Sequence, residues 1–474
     1  VSGSLVVIGD LLLDRDVDGV VERLSPDAPV AVLEERSVES RPGGAGLAAA
    51  LAAADGRDVT LVTALADDAA GRELEQLLRE RGVELVDLGL AGATPEKVRL
   101  RTGDRALLRL DRGGREPGAV GRASAGARAA IGWAEALLVS DYGRGVAASP
   151  EIRELLAERA ATGLPTVWDP HPRGPAPVEG VALATPNAAE AALFADGAGD
   201  GLDELAAAIA RAAALRRRWS AGAVCITRGA RGALLDAGGE IPLAIAAPRV
   251  DGGDPCGAGD RFAAAAAAVL ADGGAVSEAV QQATEAAARF VAAGGAGGFA
   301  KGAAADPVLS PAAAAAPGSP PLESALARIA ATRAAGGVVV AAGGCFDLLH
   351  PGHVRLLKAA RELGDCLVVC INSDASVRRL KGPSRPLLPA HERADVLLAL
   401  GCVDAVVPFE EETPCALLER LRPDLWVKGG DYAGRRLPES ELLERWGGRT
   451  VLVPHHAGHS TTRLIEEAID RAAS

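Results

Sequence analysis

Gly343-Gly344-Cys345-Phe346-Asp347-Leu348-Leu349-His350-Pro351-Gly352-His353 decides how this chain is read. The apolar run Val338-Val339-Val340-Ala341-Ala342 precedes it, and a helical pattern with Leu356, Leu357 and Ala360 on one side follows. A strand, a glycine turn and a helix start in that order make a phosphate-binding site. The turn lets backbone N–H groups approach an anion, and the helix N-terminus adds the positive end of its dipole. Two histidines three residues apart, separated by Pro-Gly, can both face one phosphate as hydrogen-bond donors. The alternative is a glycine turn with two surface histidines. The length and order of Gly-x-Phe-Asp-x-x-His-x-Gly-His argue against it.

Composition bounds the rest. A chain of 474 residues exceeds one ordinary domain, and 49 % hydrophobic residues, much of it alanine, suffices for well-buried cores. The net charge of −13 excludes a broad nucleic-acid or anionic-membrane surface, because either needs a basic patch. Phosphorylated small molecules, held by local donors, remain. Seven cysteines are scattered without a Cys-x-x-Cys pair, so neither a zinc site nor a disulfide framework is expected, and a reducing cytoplasmic setting is. No basic-then-apolar leader and no apolar run of spanning length is seen, so no signal peptide or membrane helix is expected.

In chain order, Leu5-Val6-Val7-Ile8 reads as a buried strand ending at Gly9-Asp10, with Asp14 just beyond. Two acids there stand where open α/β sheets bind ligands; Asp16 and Asp18 read as solvated turn acids. Residues 17–38 and 97–110 alternate apolar and polar, as strands of a small antiparallel lid do. Strand–helix alternation from residue 59 to residue 227 argues for a parallel sheet covered by helices on both faces. Gly257-Ala258-Gly259 can form a nest of N–H donors at a helix start, suited to a phosphoryl group in flight, with Asp260 placed to take a proton from an attacking hydroxyl. Residues 303–324 turn to Ala, Pro, Ser and Gly without periodicity and read as a linker, and 322–335 as a helix. Near the C-terminus, Ser460 and Thr461 at a helix start can bind ATP phosphates opposite His350 and His353; Ser460 as a plain helix cap is the alternative. Metal ligation by His455, His456 and His459 is disfavoured, since no further ligand is spaced to complete a site.

The first 300 or so residues resemble the ribokinase-like (phosphofructokinase-B-type) sugar kinases. The resemblance is carried by Gly9-Asp10 with Asp14, Gly43-Gly44, Thr185-Pro186-Asn187 with Glu190, Thr227-Arg228-Gly229, and Gly257-Ala258-Gly259-Asp260. The opening motif resembles the cytidylyltransferase-like nucleotidyltransferases. The combination is similar to the bifunctional heptose 7-phosphate kinase/heptose 1-phosphate adenylyltransferases, through stretches such as Leu24-Ser25-Pro26-Asp27, Ser140-Asp141-Tyr142, Asn372-Ser373-Asp374, Leu380-Lys381-Gly382 and Lys428-Gly429-Gly430-Asp431-Tyr432.

That resemblance implies an α/β architecture: a ribokinase-like three-layer domain with a small β lid over 1–302, a linker over 303–324, and a Rossmann-like nucleotidyltransferase domain over 325–474. It implies Asp260 as base, Gly257, Ala258 and Gly259 as anion hole, and Asp10, Asp14, Gly43, Gly44 and Asp141 at the sugar. Asn187, Glu190, Thr227 and Gly229 would meet ATP and magnesium. In the second domain His350 and His353 would act on phosphates, and Gly344, Cys345, Phe346, Asp374, Lys381, Lys428, Ser460 and Thr461 would bind ATP. The cofactors implied are ATP and Mg2+, the ion held through nucleotide phosphates. The implied partners are sugar phosphates and a second copy through the lid.

The same layout acting on another sugar phosphate or with CTP, a chain active only in its transferase half, and a scaffold without turnover are the rival readings. Departures from the family pattern are Leu47 for a usual Asn, His171 for a usual Lys, Pro255 and Cys256 before Gly257, Arg261 after the base, Gly343 for a common Asn, and His455.

Overall fold

The computed structural model describes residues 4–25, 28, 30–103, 105–113, 118–248, 250, 252–300, 321–430 and 437–454. The chain forms two compact units, Val1–Arg228 with Arg249–Pro307 and Gly229–Pro248 with Val308–Ser474. Among the described residues no helix is long and apolar enough to cross a membrane.

The first unit is built on parallel strands in the order Ala223–Thr227, Leu183–Ala184, Thr166–Asp169, Ala136–Ser140, Leu5–Gly9, Val59–Thr63, Val83–Asp87. Leu5–Gly9 and Ala136–Ser140 are buried at every residue, as strands covered on both faces must be. Between these two the chain order reverses. Asp10 and Asp141 leave their carboxyl ends at that switch point, where such sheets form a crevice.

The lid is a second sheet, in the order Ala31–Gly44, Leu11–Leu24, Glu96–Thr102, Arg105–Arg112. It is mixed rather than antiparallel throughout. Leu11–Leu24 pairs antiparallel with Ala31–Gly44 but parallel with Glu96–Thr102, because core strands and helices intervene and make that connection a crossover instead of a hairpin. Asp16 also departs from expectation. The lid strand starts at Leu11, so Asp16 lies within it, buried and 2.6 Å from the Arg41 guanidinium, not in a solvated turn.

The second unit carries five parallel strands in the order Ala405–Phe409, Cys366–Asn372, Val339–Gly344, Leu425–Gly429, Arg449–Val453. Val339 and Ala341, on one face, pack with Ile329 of the helix Pro321–Ala334 and with Leu418 and Leu443. The switch point falls beside Val339–Gly344, and the glycine turn and the helix Pro351–Glu362 leave from its end. Residues 303–320, the bulk of the expected linker, lie outside the described residues.

Candidate functional site

In the first unit Gly257 caps the helix Ala258–Ala271 at φ 82, a left-handed conformation that favours glycine. A side chain there would also meet Leu47 Cδ2 at 2.6 Å. Gly259 faces open space, with nothing within 4 Å of where its Cβ would stand, whereas the Ala258 N–H donates to Pro255 O at 3.0 Å. One residue on, Asp260 is 5 % exposed. Burial lifts its carboxyl to about 7, against the pull of the Tyr142 hydroxyl and the Lys97 ammonium, while Asp14 adds to the rise. A carboxylate poised near neutrality at a helix start can accept a proton at physiological pH.

The Tyr142 hydroxyl donates to both oxygens of Asp260, 2.9 Å from each. Lys97, from the lid strand Glu96–Thr102, lies 5.4 Å from the centre of the same ring, and the His171 imidazole stacks on it at 6.2 Å. The loop bearing Tyr142 is held by Asp10, whose carboxylate accepts from the backbone N–H of Tyr142 (3.0 Å), Arg144 (2.9 Å) and Val146 (3.0 Å). Asp141 accepts from Gly143 N at 2.8 Å, and burial, with Asp10 nearby, lifts it to about 7. Asp14 pairs with Arg99 at 2.8 Å beside Gly43, and Gly44 at φ 61 lets the backbone pass close to Asp10 O.

Asn187 and Glu190 form a capping box at the helix Ala188–Phe194. The Asn187 side chain accepts from Ala189 N and Glu190 N, and the Glu190 carboxylate accepts from Asn187 N at 2.9 Å. Thr227 ends the strand beside Asn187, and Gly229 opens the following turn at φ 58. Burial raises the Glu190 carboxyl, and Asp169, raised by its own burial, feels Asp260 and Glu190 as further like charges.

Three of the departures find local settings, and His455 lies outside the described residues. Leu47 sits with Leu51, Phe290 and Ala296 in an apolar cluster. Cys256 is 3.9 Å from Arg99, and Arg261 turns to Asp55 at 2.5 Å, away from the base.

In the second unit, Phe346 takes the turn at φ 47, and His350 caps the helix Pro351–Glu362 while His353 lies in its first turn. Their rings stack with centroids 3.8 Å apart, and the Phe346 ring, tilted by 56°, has its centre 5.0 Å from that of His353. Burial lowers His353 to about 4, helped by His350 and Lys381. Asp347 binds the loop after Lys381 through Arg385 and through Leu387 N at 2.6 Å. Cys345 reaches Asn372 at 3.6 Å, Lys381 ends the helix Asp374–Lys381, and the Lys428 ammonium sits 5.0 Å from the Trp426 ring centre. A side chain at Gly343 would meet that indole at 2.4 Å, and one at Gly344 would meet Phe346 at 3.2 Å. Ser460 and Thr461 lie outside the described residues.

Sequence reasoning passed over Arg393. It is almost fully buried and donates to Leu388 O (2.9 Å), Cys345 O (2.6 Å), Asn372 O (2.9 Å) and the Asp374 carboxylate (2.7 Å). The signal was an arginine four residues before Leu397 on the buried stripe of the helix Ala390–Leu398. Lys97 and the hydroxyl of Tyr142 also went without a role, since only the fold brings the lid strand and the loop to Asp260.

Comparison with known proteins finds a family match for each half of the chain. Residues 2–301 match the model of the pfkB family carbohydrate kinases, and residues 341–466 that of the cytidylyltransferase-like family. A "Bifunctional protein HldE" of Streptomyces coelicolor is 55 % identical over 470 residues, covering 99 % of this chain and 97 % of that one. Proteins of the same name from a Caulobacter species and from Nitrosococcus oceani are 39 % and 37 % identical, each covering 98 % of this chain, and 95 % and 97 % of their own lengths.

Proposed function

The chain belongs to the bifunctional HldE proteins, a pfkB family carbohydrate kinase continued by a cytidylyltransferase-like domain, and from that membership we propose the two reactions it runs. It is a carbohydrate kinase and a nucleotidyltransferase. The first reaction moves the γ-phosphoryl group of ATP to O1 of a D-glycero-D-manno-heptose 7-phosphate. The second joins AMP from ATP to heptose 1-phosphate, giving an ADP-heptose and pyrophosphate; removal of the 7-phosphate in between falls to another protein. The boundaries we assign are 1–302 for the kinase, 303–324 for the linker and 325–474 for the transferase.

For the kinase, Asp260 takes the proton of the sugar hydroxyl, the oxygen forms its bond to the γ-phosphorus, and ADP leaves. The helix start at Gly257–Gly259 meets the negative charge of the phosphoryl group. Asp14, Gly43, Gly44 and Asp141 line the crevice for the sugar, and Asn187, Glu190, Thr227 and Gly229 face the nucleotide. Magnesium would come on the ATP phosphates, with Glu190 the carboxylate assigned to it, and would supply neutralisation of their charge.

For the transferase the nucleophile is already a phosphate anion, so no base is required. An oxygen of the sugar 1-phosphate bonds to the α-phosphorus and pyrophosphate departs. His350, His353 and Lys381 hold the charge in line, with Gly344, Cys345, Phe346, Asp374, Lys428, Ser460 and Thr461 assigned to ATP. The observation that carries the reading is the difference between the two centres: one ends in a carboxyl lifted to about 7, the other in a stacked histidine pair.

We further infer a homodimer through the lid, supported by Val38, Leu107, Leu108 and Leu110 exposed on that sheet, and a cytoplasmic setting, supported by cysteines that are all free. The test supplies heptose 7-phosphate and heptose 1-phosphate separately, each with ATP and magnesium. A bisphosphate with ADP from the first, and ADP-heptose with pyrophosphate from the second, are the expected products. Failure of either overturns that half. CTP in place of ATP should give no sugar nucleotide.

A further inference from the structure

We propose that Tyr142 is a positioning residue for the kinase base, its hydroxyl holding the Asp260 carboxylate ionised and turned toward the sugar while Asp10 fixes the loop that carries it. The proposal deepens the kinase assignment above and rests on it. Three geometric observations support it. The phenol is equidistant from the two carboxylate oxygens, 2.9 Å and 2.9 Å, so its single proton is shared along their bisector. That arrangement leaves an outer lone pair on each oxygen for the sugar hydroxyl. Asp10 then spends its carboxylate on three backbone N–H groups of the loop 142–146, the first that of Tyr142 itself. Last, the ring is fixed on its surfaces by the Lys97 ammonium at 5.4 Å and the His171 imidazole at 6.2 Å.

The electrostatics agree with the geometry. Asp260 faces Tyr142 from the loop after Ala136–Ser140, Lys97 and Asp14 from the lid strands, and Asp169 from the neighbouring core strand. Tyr142 and Lys97 favour the ionised carboxyl; burial and Asp14 oppose it. Removing the hydroxyl therefore leaves the opposing influences in excess, and the base holds its proton to higher pH.

The pH profile of phosphorylation at saturating sugar phosphate tests this in the full chain. Tyr142→Phe should move the acid limb upward by about one pH unit, a tenfold loss well below it that is recovered at alkaline pH. Adenylyl transfer by the same preparation should stay unchanged, and the rate of phosphorylation recovered at alkaline pH reports that the kinase unit has folded. A merely structural role would lower the rate equally at every pH and leave the limb in place; that result overturns the proposal. Should Tyr142→Phe fail to fold, fluorotyrosine at the chain's two tyrosines, Tyr142 and Tyr432, keeps the shape and strengthens the phenolic donor. The limb must then move downward, and an unmoved limb sinks the proposal. Absence of phosphorylation by the unmodified protein would instead overturn the kinase assignment.

Discussion

The imidazole rings of His350 and His353 stack with centroids 3.8 Å apart and planes 22° from parallel. Such a pair is a poor place for two positive charges. Burial, then His350, holds His353 at about 4 instead of the usual 6.5. Between those values the unfolded chain carries a proton at this residue that the folded one lacks. Stability of the transferase domain is therefore expected to fall as pH drops from 6.5 toward 4. A bound triphosphate reverses the preference, so ATP binding in this window should take up protons. Calorimetry in buffers of different ionisation enthalpy measures that uptake, and His353→Asn should diminish it.

Asp260→Asn keeps the shape of the helix start and removes the proton acceptor. Phosphorylation should fall by about 10²–10⁴-fold while adenylyl transfer persists, since the second reaction has no use for a base. In the unmodified enzyme the kinase rate should decline below pH about 7, where this carboxyl takes up its proton. Steady-state assays of the two half-reactions, run side by side, check both statements.

Restoring the family's usual residue at 47 should harm this protein. Leu47 is 3 % exposed among Leu51, Phe290 and Ala296, so Leu47→Asn would bury an amide without partners and lose apolar contact. A loss of about 3 kcal/mol is expected in denaturant unfolding of the kinase domain, with no gain in sugar affinity.

The same reasoning applies at Gly343. A Cβ there would stand 2.4 Å from the Trp426 indole, which is fully buried. Gly343→Asn should cost about 1–3 kcal/mol by overpacking and depress adenylyl transfer, whereas Gly343→Asn with Trp426→Leu should recover part of it. Thermal unfolding of the two variants decides.

Much of the scaffold could be read from the chain because buried parallel strands are plain apolar runs. Leu5–Gly9 ends one residue past the expected run Leu5–Ile8, and Val339–Gly344 ends two residues past Val338–Ala342. Val83–Asp87 escaped notice: it is a short edge strand of mixed burial, with little in its pattern to mark it. The lid was visible as alternation, but its mixed pairing was not, since direction depends on what lies between two strands. Glycines and acids at the two centres announced themselves by spacing. What they touch did not: Asp10 bonds the loop 142–146, which only the fold brings to it, and Asn187 caps a helix with Glu190, satisfactions a motif cannot display. Arg393 was hidden because a buried cation looks, in sequence, like any solvated one.

That guanidinium bears on how the transferase centre comes apart. It fastens the signature turn at Cys345, the strand end at Asn372 and Asp374, and the loop at Leu388, segments spread over some forty residues of chain. No one of them can fray without stranding a desolvated charge for the others, so they should open together as one cooperative unit. Amide hydrogen exchange across the three segments would then proceed with a shared opening free energy, and the nucleotide pocket would exist whole or not at all.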